Sequence, residues 1–186
     1  YKGVENKALK EGMFLEPLHP YGIGKLTGEH YCRIYNDLFN LKTVVLRYFS
    51  VYGSRQRGDV EHAGVIAKFF LQAKENKDIT IYGDGSQRRN FSMVLDVIKG
   101  TLLGAVKDRA IGEIINIASE KEYTVKEIAN YIIKITNSKS KIVFLHPLRG
   151  DPLRNKADVS KAHTILEFQA DYDLQRGLEY IHKKLF

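Results

Sequence analysis

The sequence predicts an α/β fold. Apolar residues recur at helical spacing from Tyr21 to about Phe39, and a run rich in β-branched and aromatic residues, 43–49, follows within a few residues. A helix that leads so directly into a buried strand is typical of α/β proteins. A second buried strand is predicted at 112–119. With 186 residues, 44% of them hydrophobic, the chain has enough apolar material for a folded core.

The predicted elements alternate along the chain. Residues 1–19 are predicted as a loop, Pro20 suits the first turn of the first helix, and Asn40 suits its C-terminal cap. Thr124 and Glu127 have the spacing of a capping box at the start of a later helix. The other predicted elements are a polar loop at 54–64, helices at 65–75, within 91–107, at 124–136, 157–168 and 174–185, and strands at 78–86 and 141–147.

Composition and charge exclude several classes of protein. A single cysteine, Cys32, excludes an internal disulfide framework and indicates a reducing, cytoplasmic compartment. No run approaches about 18 apolar residues, so no membrane span is expected. No signal peptide is visible, although the chain starts at Tyr1 without an initiator Met. The net charge of +7 favours anionic partners, but there is no dense Lys/Arg tract, so neither nucleic acid nor a membrane is expected. No metal site is expected.

Tyr21 and Lys25 are the first candidate catalytic residues. They stand four residues apart, so on a helix they share one face. An ammonium group favours the phenolate form of a nearby tyrosine, and a phenolate can remove a proton from a sugar hydroxyl while hydride leaves the same carbon. An exposed helix face explains the spacing equally well, because Tyr180 and Lys184 repeat it near the C-terminus.

Candidate binding residues follow the first predicted strand. Tyr48, Phe49 and Ser50 come at its end, and ligands of open α/β sheets bind beyond the carboxyl ends of the strands. A cofactor ring can therefore lie against these three residues. An ordinary strand end is the alternative.

Two charged stretches are candidate phosphate sites. Arg88 and Arg89 follow the glycine turn of ITIYGDGS, and arginine can bind a pyrophosphate through paired hydrogen bonds. In LRGDPLRNKADVSKA, Arg149 and Arg154 offer cations to phosphate and Asp151 offers a carboxylate to a sugar. A solvated charged turn is the alternative for both stretches.

Five blocks in a fixed order carry a family resemblance. PYGIGKLTGEHY is similar to a PYGxSKLxxE block, and LRYFSVYGSRQ to an LRYFNVYGPRQ block. AGVIAKF resembles a segment that closes over a nucleotide, and ITIYGDGSQRRNFSMVLDV resembles a GDG turn followed by RDFIHVDDV. GDPLRNKADVSKA resembles a C-terminal block of GD followed by AD and SKA. Together they resemble the NAD-dependent epimerase/dehydratase branch of the extended short-chain dehydrogenase/reductase superfamily.

The resemblance implies a fold and an activity. The fold is part of a Rossmann-like doubly wound sheet, about 1–53 and 112–119, plus a smaller α/β substrate-binding part, about 54–111 and 120–186. NAD is the implied cofactor, a UDP-sugar the implied substrate and a homodimer the implied assembly. The implied reaction is reversible 4-epimerisation of a UDP-hexose such as UDP-glucose. Hydride passes from sugar C4 to NAD⁺, the 4-keto sugar rotates, and hydride returns to the opposite face.

The resemblance also assigns roles by position. Tyr21 is the implied base, and Lys25 the residue that holds the nicotinamide ribose. Tyr48 and Phe49 line the nicotinamide site, with Ser50 near the sugar or cofactor. The implied substrate residues are Val65 in the nucleotide-covering segment, Thr80 and Tyr82 beside a uracil-type base, Arg89 on the pyrophosphate, and the region from Arg149 to Asp151 closing the substrate site.

The chain departs from the family pattern in several places. It has no glycine-rich GxxGxxG, and Tyr1 matches a tyrosine just after the family's catalytic hydroxyl residue. The N-terminal part of such an enzyme is therefore expected to be missing, and the strands at 43–49 and 112–119 are expected to expose apolar surface unless another chain covers it. The smaller departures are Gly24 for Ser, Ser50 for Asn, Asn90 for Asp, 92–95 for IHVD, and Leu148 for an expected arginine.

Three other interpretations stay open at this point. One is a nucleotide-sugar 4,6-dehydratase or UDP-glucuronate decarboxylase of the same superfamily. Another is a non-catalytic truncated fragment, and a third is a basic module that binds nucleic acid.

Overall fold

Helices and short strands alternate along the chain in the computed structural model, which describes residues 7–17, 19–148, 150 and 152–185. The helices are α1 (Pro20–Phe39), α2 (Val65–Lys74), α3 (Val94–Val106), α4 (Val125–Thr136) and α5 (Leu174–Leu185). The strands are β1 (Val45–Tyr48), β2 (Val51–Tyr52), β3 (Ile79–Tyr82), β4 (Arg88–Asn90), β5 (Ser92–Met93), β6 (Ile114–Ile117), β7 (Glu122–Thr124), β8 (Ile142–Leu145) and β9 (Arg154–Asn155). A 3₁₀ turn spans Asp108–Ala110 and a π-helical turn spans Ala162–Leu166.

The predicted order of the longer elements is confirmed. Asn40 ends α1 in the left-handed conformation, and Thr124 and Glu127 form the capping box at the start of α4. The helix predicted over 157–168 is wrong for its first three residues, because Ala157 forms a parallel β-bridge with Leu9. The backbone hydrogen bonds of this stretch go to the bridge, and only a short helical segment that closes in the π-helical turn remains.

β1 and β6 are parallel neighbours, and one face of this pair packs on α3. Leu46 lies beside Ile115 in the register, and both belong to an apolar cluster that also includes residues of the π-helical turn. α3 can approach closely because it presents Gly100 to the sheet. A Cβ at this position would come within 2.9 Å of the Ile117 side chain.

The opposite face of β1 and β6 is covered by other parts of the chain. Phe49, directly after β1, and Ala118, directly after β6, pack with Leu9 and Ala157. Asn116 fixes this cover, since its backbone N–H donates to the Glu11 carboxylate and its side-chain amide donates to the Leu9 carbonyl, each at 2.8 Å. Both faces of β6 are therefore covered, as a central parallel strand requires, whereas β1 is only half-buried and Tyr48 at its end is 47% exposed.

The expectation that 43–49 and 112–119 expose apolar surface without another chain is confirmed in part for 43–49, where Tyr48 is 47% exposed, and is wrong for 112–119. Ile115 and Ile117 are fully buried, because α3 and the 162–168 segment of this same chain cover them. Further exposed apolar surface lies on the helices, besides that of β8, where Phe144 and Leu145 are also exposed. α1 buries none of its residues. The large exposed side chains of α1 are Tyr21, Ile23, Tyr31, Ile34, Tyr35, Leu38 and Phe39, and those of α3 are Ile98, Leu102 and Val106.

A second group of elements surrounds the parallel pair β3 and β8. Residues of α2, α4 and α5 form one apolar cluster with β3, whose fully buried members include Phe69, Ile79, Ile128 and Leu178. β4 is the central strand of a separate sheet, antiparallel to β7 and parallel to β9. β2 and β5 form a short parallel pair that connects the two groups of elements along the chain.

Two features are absent from the described residues. None of their helices combines the length and apolar character that a membrane span requires. No group of three or more of their His, Cys, Asp and Glu side chains is placed to hold a metal ion.

The side chain of Tyr52, in β2, packs against the backbone of Gly177, in α5. Tyr52 is only 2% exposed, and burial raises the pKa of its hydroxyl, so the group stays protonated. A Cβ on Gly177 would overlap the Tyr52 hydroxyl oxygen. The absence of a side chain at 177 therefore determines how closely α5 packs on β2.

Gly177→Ala is expected to lower the free energy of unfolding by about 1–3 kcal/mol, because the added methyl group overpacks this contact. Gly24→Ala is the matched control. Gly24 is also inside a helix but has no atom within 4 Å of the added Cβ, so alanine there is expected to stabilise by up to about 1 kcal/mol. Denaturant unfolding of both variants tests this, and equal effects of the two substitutions would contradict the assigned contact.

Candidate active site

The Tyr21–Lys25 pair lies in the first turns of α1. Pro20 occupies the start of the helix, where its missing N–H costs no hydrogen bond. Lys25 Nζ lies 5.2 Å from the centroid of the Tyr21 ring, so the two side chains share one helix face. Tyr21 is 75% exposed, and among the described residues neither its hydroxyl nor the Lys25 ammonium has a hydrogen-bond partner. Both groups are open to a ligand.

An ion pair between Glu29 and Arg47 holds α1 against β1. Arg47 Nε and Nη2 donate to the two Glu29 carboxylate oxygens at 2.7 and 2.6 Å. Arg47 Nη1 also donates to the Glu11 carbonyl at 3.2 Å. The Arg47 and Glu29 side chains are only 12% and 14% exposed, so water screens this pair far less than a surface pair.

The contacts of α1 show which way it runs beside the strand. The Thr43 hydroxyl, before β1, donates to the Cys32 carbonyl, while Arg47, near the end of β1, contacts Glu29. Moving forward along the strand therefore corresponds to moving backward along the helix. Lys25 lies a further turn back, about 6 Å along the helix axis. The Tyr21–Lys25 pair is thus placed toward the carboxyl end of β1, where open α/β sheets bind ligands.

Tyr48 and Phe49 lie on opposite faces of the sheet, because successive side chains of a strand alternate. The Tyr48 hydroxyl lies 2.9 Å from the Thr101 hydroxyl oxygen of α3, while Phe49 is buried on the face that Leu9 covers. The expectation that both line the nicotinamide site requires the cofactor to pass over the strand end and touch both faces.

Ser50 bends the chain directly after this strand end. Its φ of 37° lies in the left-handed region, which is uncommon for a residue with a side chain. Its carbonyl accepts a hydrogen bond from the backbone N–H of Ser92 at 3.2 Å. The turn is therefore tied to β5, in the segment that carries the arginines of β4.

Asn90, at the end of β4, and Ser92, at the start of β5, connect this segment to Ser119, just past the end of β6. The sequence analysis did not predict this role. Asn90 is fully buried, and its amide donates to the Ser119 carbonyl at 2.7 Å and accepts from the Ala157 N–H at 2.8 Å. The Ser92 hydroxyl accepts from the Ser119 N–H at 3.1 Å. In the sequence, the one signal of this role is that both positions depart from the family pattern.

The predicted base-binding residues lie on β3. Thr80 is held from α2, because the Gln72 amide donates to the Thr80 hydroxyl at 3.0 Å and accepts from its backbone N–H at 3.4 Å. Tyr82 ends the strand and is 38% exposed. Val65 is the first residue of α2 and is half-buried.

The predicted phosphate-binding residues lie on and after β4. Arg89 is half-buried in β4, and its Nη1 donates to the Arg88 carbonyl at 2.8 Å. Arg154, in β9, is instead paired with Glu122 of β7 at 2.6 Å, so the arginine ties the two outer strands of this sheet together. Arg149 and Asp151 lie outside the described residues.

The ion pair in this sheet changes the titration of Glu122. Its side chain is 10% exposed, and the Arg154 guanidinium holds the pKa of the Glu122 carboxyl below its ordinary value of 4.5. A carboxyl whose pKa is lower in the folded state stabilises the fold above its ordinary pKa. That stability is lost as the pH falls through the folded-state pKa.

Comparison with known proteins identifies the class of protein. A sequence model described as NAD dependent epimerase/dehydratase family matches residues 2–118. The chain belongs to this family, and NAD is the cofactor of the family. The α/β, Rossmann-like fold expected from the sequence is confirmed by epimerase structures that superimpose on nearly the whole chain.

Individual relatives are named as UDP-sugar epimerases and decarboxylases. An uncharacterized UDP-glucose epimerase of Bacillus subtilis is 36% identical over 95% of this chain and 54% of its own length. A UDP-N-acetyl-α-D-glucosaminuronate decarboxylase of Bacillus cytotoxicus is 37% identical over 86% of this chain and 50% of its own length. The UDP-glucuronic acid 4-epimerase of Bacillus cereus, solved with UDP-glucuronic acid and NAD, superimposes with a TM-score of 0.85 at 38% identity, over 97% of this chain and 57% of its own. The chain spans about half the length of the curated relatives it matches.

The site fits one end of NAD. The exposed Tyr21 hydroxyl and Lys25 ammonium are hydrogen-bonding groups that suit the nicotinamide ribose, and they sit toward the carboxyl end of a parallel strand. No glycine-rich phosphate loop occurs anywhere in the sequence. Among the described residues, this pair supplies groups that suit the nicotinamide end of the cofactor.

Arg47→Met is expected to release α1 from β1. The substitution leaves the Glu29 carboxylate unpaired in a largely buried position, which costs about 3 kcal/mol. Amide hydrogen exchange in α1 should accelerate more than in α4, and denaturant unfolding should report the loss of stability. The control is Arg57→Met, because Arg57 makes the same two-pronged contact with Asp59 in an exposed loop. Little change is expected there, and similar exchange in α1 of both variants would disprove the anchoring role.

Glu122→Gln is expected to weaken the dependence of the free energy of unfolding on pH at acidic pH. At pH 7 the wild type should be more stable than the variant by about 2 kcal/mol, the scale of a hydrogen bond to a charged group. The difference should shrink as the pH falls below about 4.5, because protonated Glu122 loses its attraction for Arg154. Urea unfolding between pH 7 and pH 3 measures this. The exposed Glu61→Gln provides the control, and a difference that is constant with pH would refute the ion pair as the cause.

Proposed function

We propose that this chain is the part of an NAD-dependent UDP-sugar 4-epimerase that carries the Tyr–Lys pair and the nucleotide-sugar site, acting on a UDP-hexose of the UDP-glucose/UDP-galactose type. The observation that carries the proposal is the placement of Tyr21 and Lys25. They share one face of a helix whose ion pair to Arg47 sets them toward the carboxyl end of β1. Family membership supports the same conclusion.

In this proposal Tyr21 moves the proton and Lys25 orients the ligand. When bound, NAD supplies a hydride acceptor and donor at the sugar C4. The Tyr21 phenolate takes the proton of the C4 hydroxyl and later returns it, and the Lys25 ammonium holds the ribose beside it. Ser50, directly past β1, is assigned to the sugar or the ribose.

The nucleotide is proposed to lie along β3 and β4. Thr80 and Tyr82 are assigned to the base, Arg89 to the pyrophosphate and Val65 to the segment over the nucleotide. Arg149 and Asp151 are assigned to the sugar side from sequence similarity alone. The net charge of +7 supports an anionic substrate of this kind. We also propose that the whole enzyme is a homodimer and that it acts in the cytoplasm.

Decarboxylation of a UDP-hexuronic acid is the second candidate activity. A UDP-N-acetyl-α-D-glucosaminuronate decarboxylase is 37% identical to the chain, as similar as the epimerase relatives. Both reactions begin with oxidation at the sugar C4, so the Tyr–Lys pair alone does not separate them. Incubating the whole protein with UDP-glucose and UDP-glucuronate, and testing for a C4 epimer against released CO₂, distinguishes the two.

Tyr21→Phe in the whole protein is expected to reduce turnover by at least about 10³-fold, because phenylalanine cannot accept or donate the proton. UDP binding, measured by calorimetry, should stay near the wild-type value. Tyr180→Phe is the matched control, since Lys184 Nζ lies 6.0 Å from the Tyr180 ring centroid in the same relative arrangement. Turnover should be unchanged in that variant. Unchanged turnover in Tyr21→Phe would reject Tyr21 as the base.

A further inference from the structure

Gln87 closes the turn between β3 and β4. This residue directly precedes β4, and its side-chain Nε2 donates to the carbonyl of Tyr82, the last residue of β3, at 2.6 Å. Gln87 is only 7% exposed, so the hydrogen bond is shielded from water. One buried amide thus joins the end of one strand to the start of the next.

The orientation of the Gln87 amide follows from its partner. The Tyr82 carbonyl can only accept, so the NH₂ group must face it and Oε1 must point elsewhere. Oε1 is buried and has no hydrogen-bond partner among the described residues. The hydrogen bond to Tyr82 is therefore the one polar contact of this side chain within the described residues.

The relative position of β3 and β4 depends on this turn. β3 pairs with β8, whereas β4 pairs with β7 and β9, so no ladder of hydrogen bonds joins the two strands. The main chain of the turn is attached to α4 through the Val125 and Lys126 N–H groups, which donate to the carbonyls of Gln87 and Gly85 at 3.1 Å. The Gln87 side chain adds the direct link to Tyr82.

We propose that Gln87 is a positioning residue for the nucleotide, acting through Tyr82 on one strand and Arg89 on the other. This inference rests on the proposed function, which places the base at Tyr82 and the pyrophosphate at Arg89. Base and pyrophosphate are a fixed distance apart in the nucleotide. Binding both therefore requires a fixed separation of the ends of β3 and β4, which the Gln87–Tyr82 hydrogen bond sets.

The test compares two substitutions of Gln87 by calorimetric titration of the chain with UDP-glucose. Gln87→Met removes the donor without adding charge, and UDP-glucose should bind about tenfold more weakly at every pH. Gln87→Glu places a carboxylate against the Tyr82 carbonyl at pH 8, and affinity should fall at least as far. At about pH 5 the protonated carboxyl regains an O–H donor, so affinity should return toward wild type. Gln169→Glu adds the same charge at an exposed position and should bind like wild type at both pH values.

Each outcome bears on a definite claim. Wild-type affinity in both Gln87 variants, even with a lowered melting temperature, would show a purely structural role and overturn the inference. A loss of affinity in Gln87→Glu that does not recover at low pH would overturn the role of the donor. No binding of UDP-glucose by the wild-type chain would instead overturn the proposed function. In the whole enzyme, the same substitutions should raise KM for the UDP-sugar and leave kcat near its wild-type value.

Discussion

The candidate active site depends on the charge pair between Glu29 and Arg47. α1 contains 20 residues, fully buries none of them and includes three glycines, so packing and helix propensity stabilise its position only weakly. The two-pronged contact is the strongest attachment of α1 to β1, because both carboxylate oxygens and three guanidinium nitrogens have partners. A pair that is satisfied in this way can repay the cost of leaving water. Glu29 and Arg47 also belong to the two sequence blocks that carry the catalytic and cofactor residues, so the blocks meet through a physical contact.

The same contact explains why the site lies at a sheet edge. Because α1 runs antiparallel to β1, fixing the middle of the helix beside Arg47 carries its first turns past the end of the strand. The parallel partner β6 ends at the same edge, and the buried Asn90 and Ser92 side chains attach to Ser119 just beyond it. The proposed cofactor edge and the arginine strand β4 are therefore linked by buried hydrogen bonds. A shift of either part would leave polar groups unsatisfied in the interior.

Local patterns predict the longer elements, and long-range pairing accounts for most of what they miss. The end of α1 at Asn40 depends on neighbouring residues, and it is observed. The strands β2, β4, β5, β7 and β9 have only two or three residues each, too few for a hydrophobic period, and they exist because distant segments pair. At the site, alternation along a strand is enough to predict opposite faces for Tyr48 and Phe49. The role of Gln87 is beyond such patterns, because it rests on a hydrogen bond to the backbone of Tyr82.

The departures at 90 and 92 are best understood as a pair. Ser119 presents its N–H to the Ser92 hydroxyl and its carbonyl to the Asn90 amide, so both backbone groups of one buried residue are satisfied by these two side chains. An aspartate at 90 cannot donate to that carbonyl when ionised, and an isoleucine at 92 cannot accept from that N–H. Restoring the family residue at either position would therefore remove one hydrogen bond to Ser119, and restoring both would remove both. The two departures act on the same residue, and together they link β4 and β5 to the carboxyl end of β6.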